Sequence, residues 1–170
     1  MYNGLKKYLP VLNLALAISI FLMMFLPAIV NDGVVILNGV EATIGTEIAS
    51  LYDLGSVSVG FNFWNFMAFF FPLVAIFTGF QVIKSSSSKT ETENMQFLNK
   101  ILSLAAFILA FACFLNFGEN TKGIITGIVE IEYNFSWFDL GIGVILATIF
   151  SSVGIVLSSI NLFLHFRKYF

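Results

Sequence analysis

The sequence predicts an all-α membrane protein: a four-transmembrane-helix bundle carrying a small extracytoplasmic antiparallel β sheet built from its two outer loops. Three observations carry that fold class. Four long apolar runs lack charge, Lys and Arg gather in alternate loops, and the remaining loops hold β-prone alternating segments. Of the 170 residues, 58% are hydrophobic and only 11% charged, with a mean hydropathy of +0.93. Soluble domains carry roughly 25% charged residues and about 45–50% apolar ones. A surplus of this size needs a solvent that accepts apolar surface, and a bilayer is such a solvent.

A helix needs about 20 apolar residues to cross the hydrocarbon core. The sequence offers spans at 8–30, 61–83, 98–117 and 139–165 in a single domain of residues 1–170. The third is the shortest and draws on Phe97 and Leu98 at its start. Lys6 and Lys7 precede the first span as in a secretory leader, but its apolar run is longer than a leader's and no small-x-small cleavage site follows. It reads as an uncleaved anchor.

Charge sets the orientation. Lys6, Lys7, Lys84, Lys89, Lys100, Arg167 and Lys168 fall on one side and only Lys122 on the other, a bias of seven to one. Cytoplasmic loops attract Lys and Arg, so both termini and the inner loop 84–97 are expected in the cytoplasm of a multi-pass plasma-membrane protein. Loops 31–60 and 118–138 lie outside, and that side carries Asp32, Glu41, Glu47, Asp53, Glu119, Glu130, Glu132 and, at the head of span four, Asp139. The polar stretch 84–94, with its serine run, reads as a solvated connector.

The outer loops have strand chemistry. Residues 34–37 and 40–44 flank Asn38-Gly39, which predicts a hairpin with a type I′ turn. Thr46 is expected to cap a short helix that carries Glu47 and ends at Gly55. Segments 56–59 and 129–133 alternate polar and apolar residues and read as strands. A faint internal echo links 5–9 with 98–102, and 61–66 with 133–138, as a duplication or as interfacial aromatics coinciding would produce.

Chemistry has few footholds. Cys113 is the only cysteine and His165 the only histidine, so no intramolecular disulfide and no multi-cysteine metal site can form. No Walker, G-x-S-x-G or H-E-x-x-H motif occurs. No catalytic, cofactor-binding or metal residues are therefore assigned. The net charge of −2 and the lack of a basic stripe argue against nucleic acid. His165 and Asp139 bracket the fourth span and are expected at the interfaces, leaving essentially no ionisable group within the spans. Glu130 and Glu132, two apart on a strand, are the weak candidates for a cation or for acid–base work.

Packing is more legible. Gly143, Ala147 and Ser151 recur every four residues, and Gly154 and Ser158 continue a second small stripe, so another helix of this chain or of a second subunit can approach closely. Asn13 and Asn161 stand at comparable depth, and a hydrogen bond between them is expected. Span two is Phe-rich, and Pro72 should kink or loosen it. Its aromatic surface meets lipid or a partner helix.

Phe25-Leu26-Pro27 closes span one, a glycine-bearing β loop follows, and residues 59–66 (Val-Gly-Phe-Asn-Phe-Trp-Asn-Phe) lead into an aromatic span, a Lys/Ser inner loop and two more spans. In this the chain resembles uncharacterised small four-helix membrane proteins of low-GC Gram-positive bacteria and mollicutes. That resemblance implies a bacterial plasma membrane and no activity or site residues. The architecture is also similar in shape to the claudin-like proteins, but their outer-loop Trp and Cys pattern is missing. The expected role is a non-catalytic accessory or scaffolding subunit, with the lipid bilayer and another membrane protein or a second copy as partners. The alternatives are a small oligomeric transporter or channel, with Asn13, Gln81, Ser151 and Asn161 on one lumen, and a membrane enzyme using the outer carboxylates.

Overall fold

The computed structural model describes residues 2–50, 55–87, 93–127 and 130–166. Among them, four helices are long and apolar enough to cross a membrane: α1 (Tyr2–Leu22), α3 (Phe63–Ser87), α4 (Glu93–Leu115) and α6 (Ile142–Phe166). Short helices α2 (Glu41–Ile44) and α5 (Phe117–Asn120) lie in the connections. α1 packs on α3, α3 on α4, α4 on α6 and α6 back on α1, so the four form a ring around a common axis. Inward faces follow helical spacing. Ser103, Ala106, Phe107, Ala110 and Phe114 are buried on α4, as are Gly143, Ala147, Ser151, Gly154 and Ser158 on α6. α3 continues through Pro72.

At one end the bundle meets two antiparallel sheets rather than the single sheet expected. The first has the order β2-β1-β7, from β1 (Pro27–Asn31), β2 (Val34–Asn38) and β7 (Asp139–Leu140). The second has the order β3-β4-β5-β6, from β3 (Thr46–Ser50), β4 (Ser56–Val59), β5 (Lys122–Thr126) and β6 (Ile131–Asn134). Both sheets draw strands from both halves of the chain. Where the helices meet this layer the core is aromatic. Phe69, Phe114, Phe117 and Phe135 are all at most 3% exposed, and Phe69 meets the ring of Phe114 edge-on at 5.1 Å.

The expected hairpin at Asn38-Gly39 is displaced by one strand. β2 pairs backwards with β1, and the two-residue turn is Asp32-Gly33, with φ of 48° and 80°. Asn38 instead ends β2 and braces the turn into α2. Its Oδ1 accepts from the Glu41 amide at 2.9 Å, and the Glu41 carboxylate accepts from the Asn38 amide at 2.8 Å. This reciprocal capping satisfies two amide donors at once and draws 41–44 into a helical turn instead of a strand. The second correction concerns Thr46, which begins strand β3 rather than capping a helix. The tail of that expected helix, 51–54, lies outside the described residues, as do Val129 and part of the polar connector (88–92). The first long helix ends at Leu22, a 3-10 turn (Met23–Phe25) follows, and Leu26, which as the residue before Pro27 favours extended backbone, leads the expected last residues of the span into β1.

Candidate functional site

Seven polar side chains of the four long helices converge in the half of the bundle farther from the sheets. Asn13 on α1, Thr78 on α3, Asn99, Lys100 and Ser103 on α4, and Ser158 and Asn161 on α6 line one cavity on the bundle axis. Its free space is about 10 Å³, roughly what one water molecule requires. All seven are buried, and Lys100 is only 7% exposed. From Glu93 to Lys100 is seven residues, about 10 Å of helix at the usual rise.

Asn13 Nδ2 donates to Ser158 Oγ at 3.0 Å, joining α1 to α6. The expected partner was Asn161. Ser158 lies one turn earlier on the same face and takes the bond, while Asn161 lines the same cavity. Such interhelical bonds are worth about 0.6 kcal/mol on average. Thr78 turns its hydroxyl hydrogen back to the Val74 and Ala75 carbonyls, leaving its lone pairs to the cavity side.

His165 is the second correction at this end. It is 8% exposed and packed inward, with Phe97 stacked on its ring at 5.5 Å. Lys100 Nζ lies 3.5 Å from His165 Nδ1. As a hydrogen bond this has the ammonium donating to a neutral ring protonated on Nε2. The bundle therefore does contain buried ionisable groups, contrary to expectation. Helical periodicity carries the missed signal. Stepping back from Phe107 and Ser103 by three or four residues reaches Lys100 and Asn99, and stepping forward from Ser158 reaches Asn161 and His165.

The small residues of α6 sit against neighbours in the same chain. A Cβ on Gly154 would stand 2.4 Å from the Phe107 ring, and one on Gly143 would stand 2.8 Å from the Met23 carbonyl oxygen. Ala147 and Ser151 are fully buried between them, and Ser151 bonds back to Ala147 at 2.7 Å. Gln81 is half-buried and does not line the cavity. Of the four residues suggested for a lumen, Asn13 and Asn161 line this cavity and Gln81 and Ser151 do not.

At the sheet end, Glu130 precedes β6 and Glu132 lies within it, 4.0 Å from Lys122, with both side chains more than two-thirds exposed. Among the described residues no group of three His, Cys, Asp or Glu side chains is placed to hold a metal ion. Tyr133, beside them, has its phenol pushed up by burial. Comparison with protein-family models, with curated proteins and with solved structures finds no match.

Proposed function

We propose that the chain is a multi-pass plasma-membrane protein, with both termini cytoplasmic and both β sheets outside, acting as a non-catalytic accessory or scaffolding subunit. One observation carries this reading: the outward faces of the four helices are dominated by apolar side chains, while seven polar side chains from all four turn inward to a cavity for one water. Between 22% and 44% of each apolar window is buried, so most of each helix faces outward through side chains such as Phe77, Ile108, Val156 and Phe163. Lipid tails solvate such a surface at no cost. The sheet-end rim supports the same placement, since Phe25, Phe61, Phe63, Trp64 and Trp137 are all more than half exposed there, where interfacial aromatics belong. The bias of Lys and Arg toward the other end sets the orientation. The resemblance to small membrane proteins of low-GC Gram-positive bacteria and mollicutes supports a bacterial membrane.

Between the cavity and the sheets, Phe107 and Phe114 of α4 and Phe117 of α5 are fully buried in the apolar core. A polar route through a single copy is therefore disfavoured, and a subunit that acts by contact is favoured. The second reading, a small oligomeric transporter or channel, draws on the convergence of Asn13, Lys100 and Asn161. Its route would have to run between copies. Purification of tagged protein in native nanodiscs, with mass measurement, separates the two. A stoichiometric membrane partner is the expected result. A pure homo-oligomer that passes solute in liposomes would overturn the accessory reading.

A further inference from the structure

We propose that the axial cavity is a binding site for a single water molecule, held between α1, α4 and α6 as a fixed part of the bundle. Asn13 supplies the observation. It is 5% exposed, its amide nitrogen is engaged by Ser158 at 3.0 Å, and its Oδ1 has no hydrogen-bond partner among the protein atoms. An unsatisfied buried acceptor costs about 1–3 kcal/mol, and native interiors meet such a debt with protein or ordered water. Asn13 lines the cavity together with Ser103, Lys100 and Asn161, so donors and acceptors for such a guest stand on the facing helices.

Size sets the first limit on the guest. A free volume of about 10 Å³ takes one water-sized sphere, and excludes an organic solute, a lipid headgroup or a hydrated ion. Chemistry sets the second. The orphaned oxygen calls for a donor, which a halide cannot be. A bare ammonium or potassium ion has water's size, but it would share a low-dielectric cavity wall with the Lys100 side chain. Water is neutral, donates to Asn13 Oδ1 and still has capacity for the roughly three bonds a buried water makes. So held, it ties α1 to α4 and α6 through the half of the Asn13 amide that Ser158 does not engage.

Water-edited solid-state NMR on the intact chain in lipid, with asparagine labelled, tests this directly. Magnetisation from water should reach the Asn13 side chain much faster than the backbone amide of the fully buried Phe107. The Asn161→Leu variant, with helix content unchanged by circular dichroism, should lose that transfer. Equal transfer at Asn13 and Phe107 in the wild-type chain overturns the proposal. So does a shift of the Asn13 signals on adding millimolar ammonium or potassium chloride, which would make the cavity an ion site.

Discussion

Asn65 Nδ2 donates to Thr121 Oγ1 at 2.7 Å, across 56 positions of sequence, and both residues are completely buried. The same nitrogen also donates to the Ala42 carbonyl at 3.1 Å, and Thr121 passes its own hydrogen to Phe117 at 2.8 Å. One side chain at the head of α3 thus joins α2 in the first sheet-end connection to the α5–β5 junction in the second. The two connections are locked together by polar bonds inside an aromatic core.

Replacing Asn65 by Ala leaves the Ala42 carbonyl and the Thr121 hydroxyl short of a donor in a site without solvent. The expected loss is about 1–2 kcal/mol, since each unsatisfied buried group costs about 1–3 kcal/mol and the substitution also removes Asn65 Oδ1, a buried acceptor without a partner of its own. Denaturant titration in detergent micelles measures it. In a double-mutant cycle with Thr121→Val the two losses should overlap by at least about 0.5 kcal/mol, as residues in one network do. Strict additivity would mean the bond contributes nothing.

Turn chemistry was legible in kind and misplaced by one strand. Asn38-Gly39 and Asp32-Gly33 are both strong type I′ signals, and local sequence does not rank them. Glu41 decides, because its carboxylate closes the reciprocal pair with Asn38 and commits that dipeptide to the turn that leads into α2. The two glycines are then required for different reasons. Gly33 needs its φ of 80°, and an added Cβ would touch nothing, whereas a Cβ on Gly39 would stand 2.7 Å from the Met24 carbonyl oxygen. Gly33→Ala should therefore cost about 1–2 kcal/mol through the left-handed backbone, and Gly33→Asn distinctly less. At Gly39, Ala and Asn should be equally damaging, about 1–3 kcal/mol from overpacking. Thermal unfolding of the four variants checks the contrast.

Gly154 makes a sharper steric case. Its missing Cβ is where the Phe107 ring lies, 2.4 Å away, and that ring is fully buried. Gly154→Ala should destabilise the bundle by about 1–3 kcal/mol. Phe107→Leu in the same chain should recover part of that loss, making the pair less damaging than the sum of the singles. A sum that is strictly additive would show that α4 and α6 do not meet through this pair.

The small stripe of α6 could be read from sequence because Gly, Ala and Ser every three or four residues have few other uses on an apolar helix. Lys100 could not be read the same way. Its position beside the polar connector made it look like a loop charge, and only the length of α4, which begins at Glu93, carries it into the bundle. The strands β5 and β7 were invisible for a related reason. Lys122–Thr126 has no alternation, and Asp139–Leu140 is too short to show any, so both exist through the partners they pair with.

Orientation is open to direct labelling. In a Cys113→Ser background, cysteines at Lys122 and Trp137 should react with an impermeant maleimide added to intact cells. A cysteine at Glu93 should react only after the cells are opened. Trp137 is 93% exposed and Glu93 begins α4, so access at each site is limited by the membrane and not by the fold. The reverse pattern would invert the topology, and labelling at all three sites in intact cells would remove the membrane reading.

The accessory role makes its own demand on α3. Phe63, Phe66, Phe70, Phe77 and Phe80 lie on its outward side, with exposures from 37% to 65%, and the rings of Phe66 and Phe70 stack at 5.7 Å. Exposed side chains contribute little to a protein's own stability, so Phe70→Ala and Phe77→Ala should leave the unfolding midpoint within about 0.5 kcal/mol of the parent. Aromatic side chains are, by contrast, the common anchors of interfaces. If this face receives the partner helix, the double variant should lose most of the protein that co-purifies in nanodiscs, while Ile108→Ala and Leu109→Ala on the outward side of α4 should not. Equal recovery from both variants would mean that the α3 face meets only lipid, and the search for a contact surface would move to the exposed strands of the sheet layer.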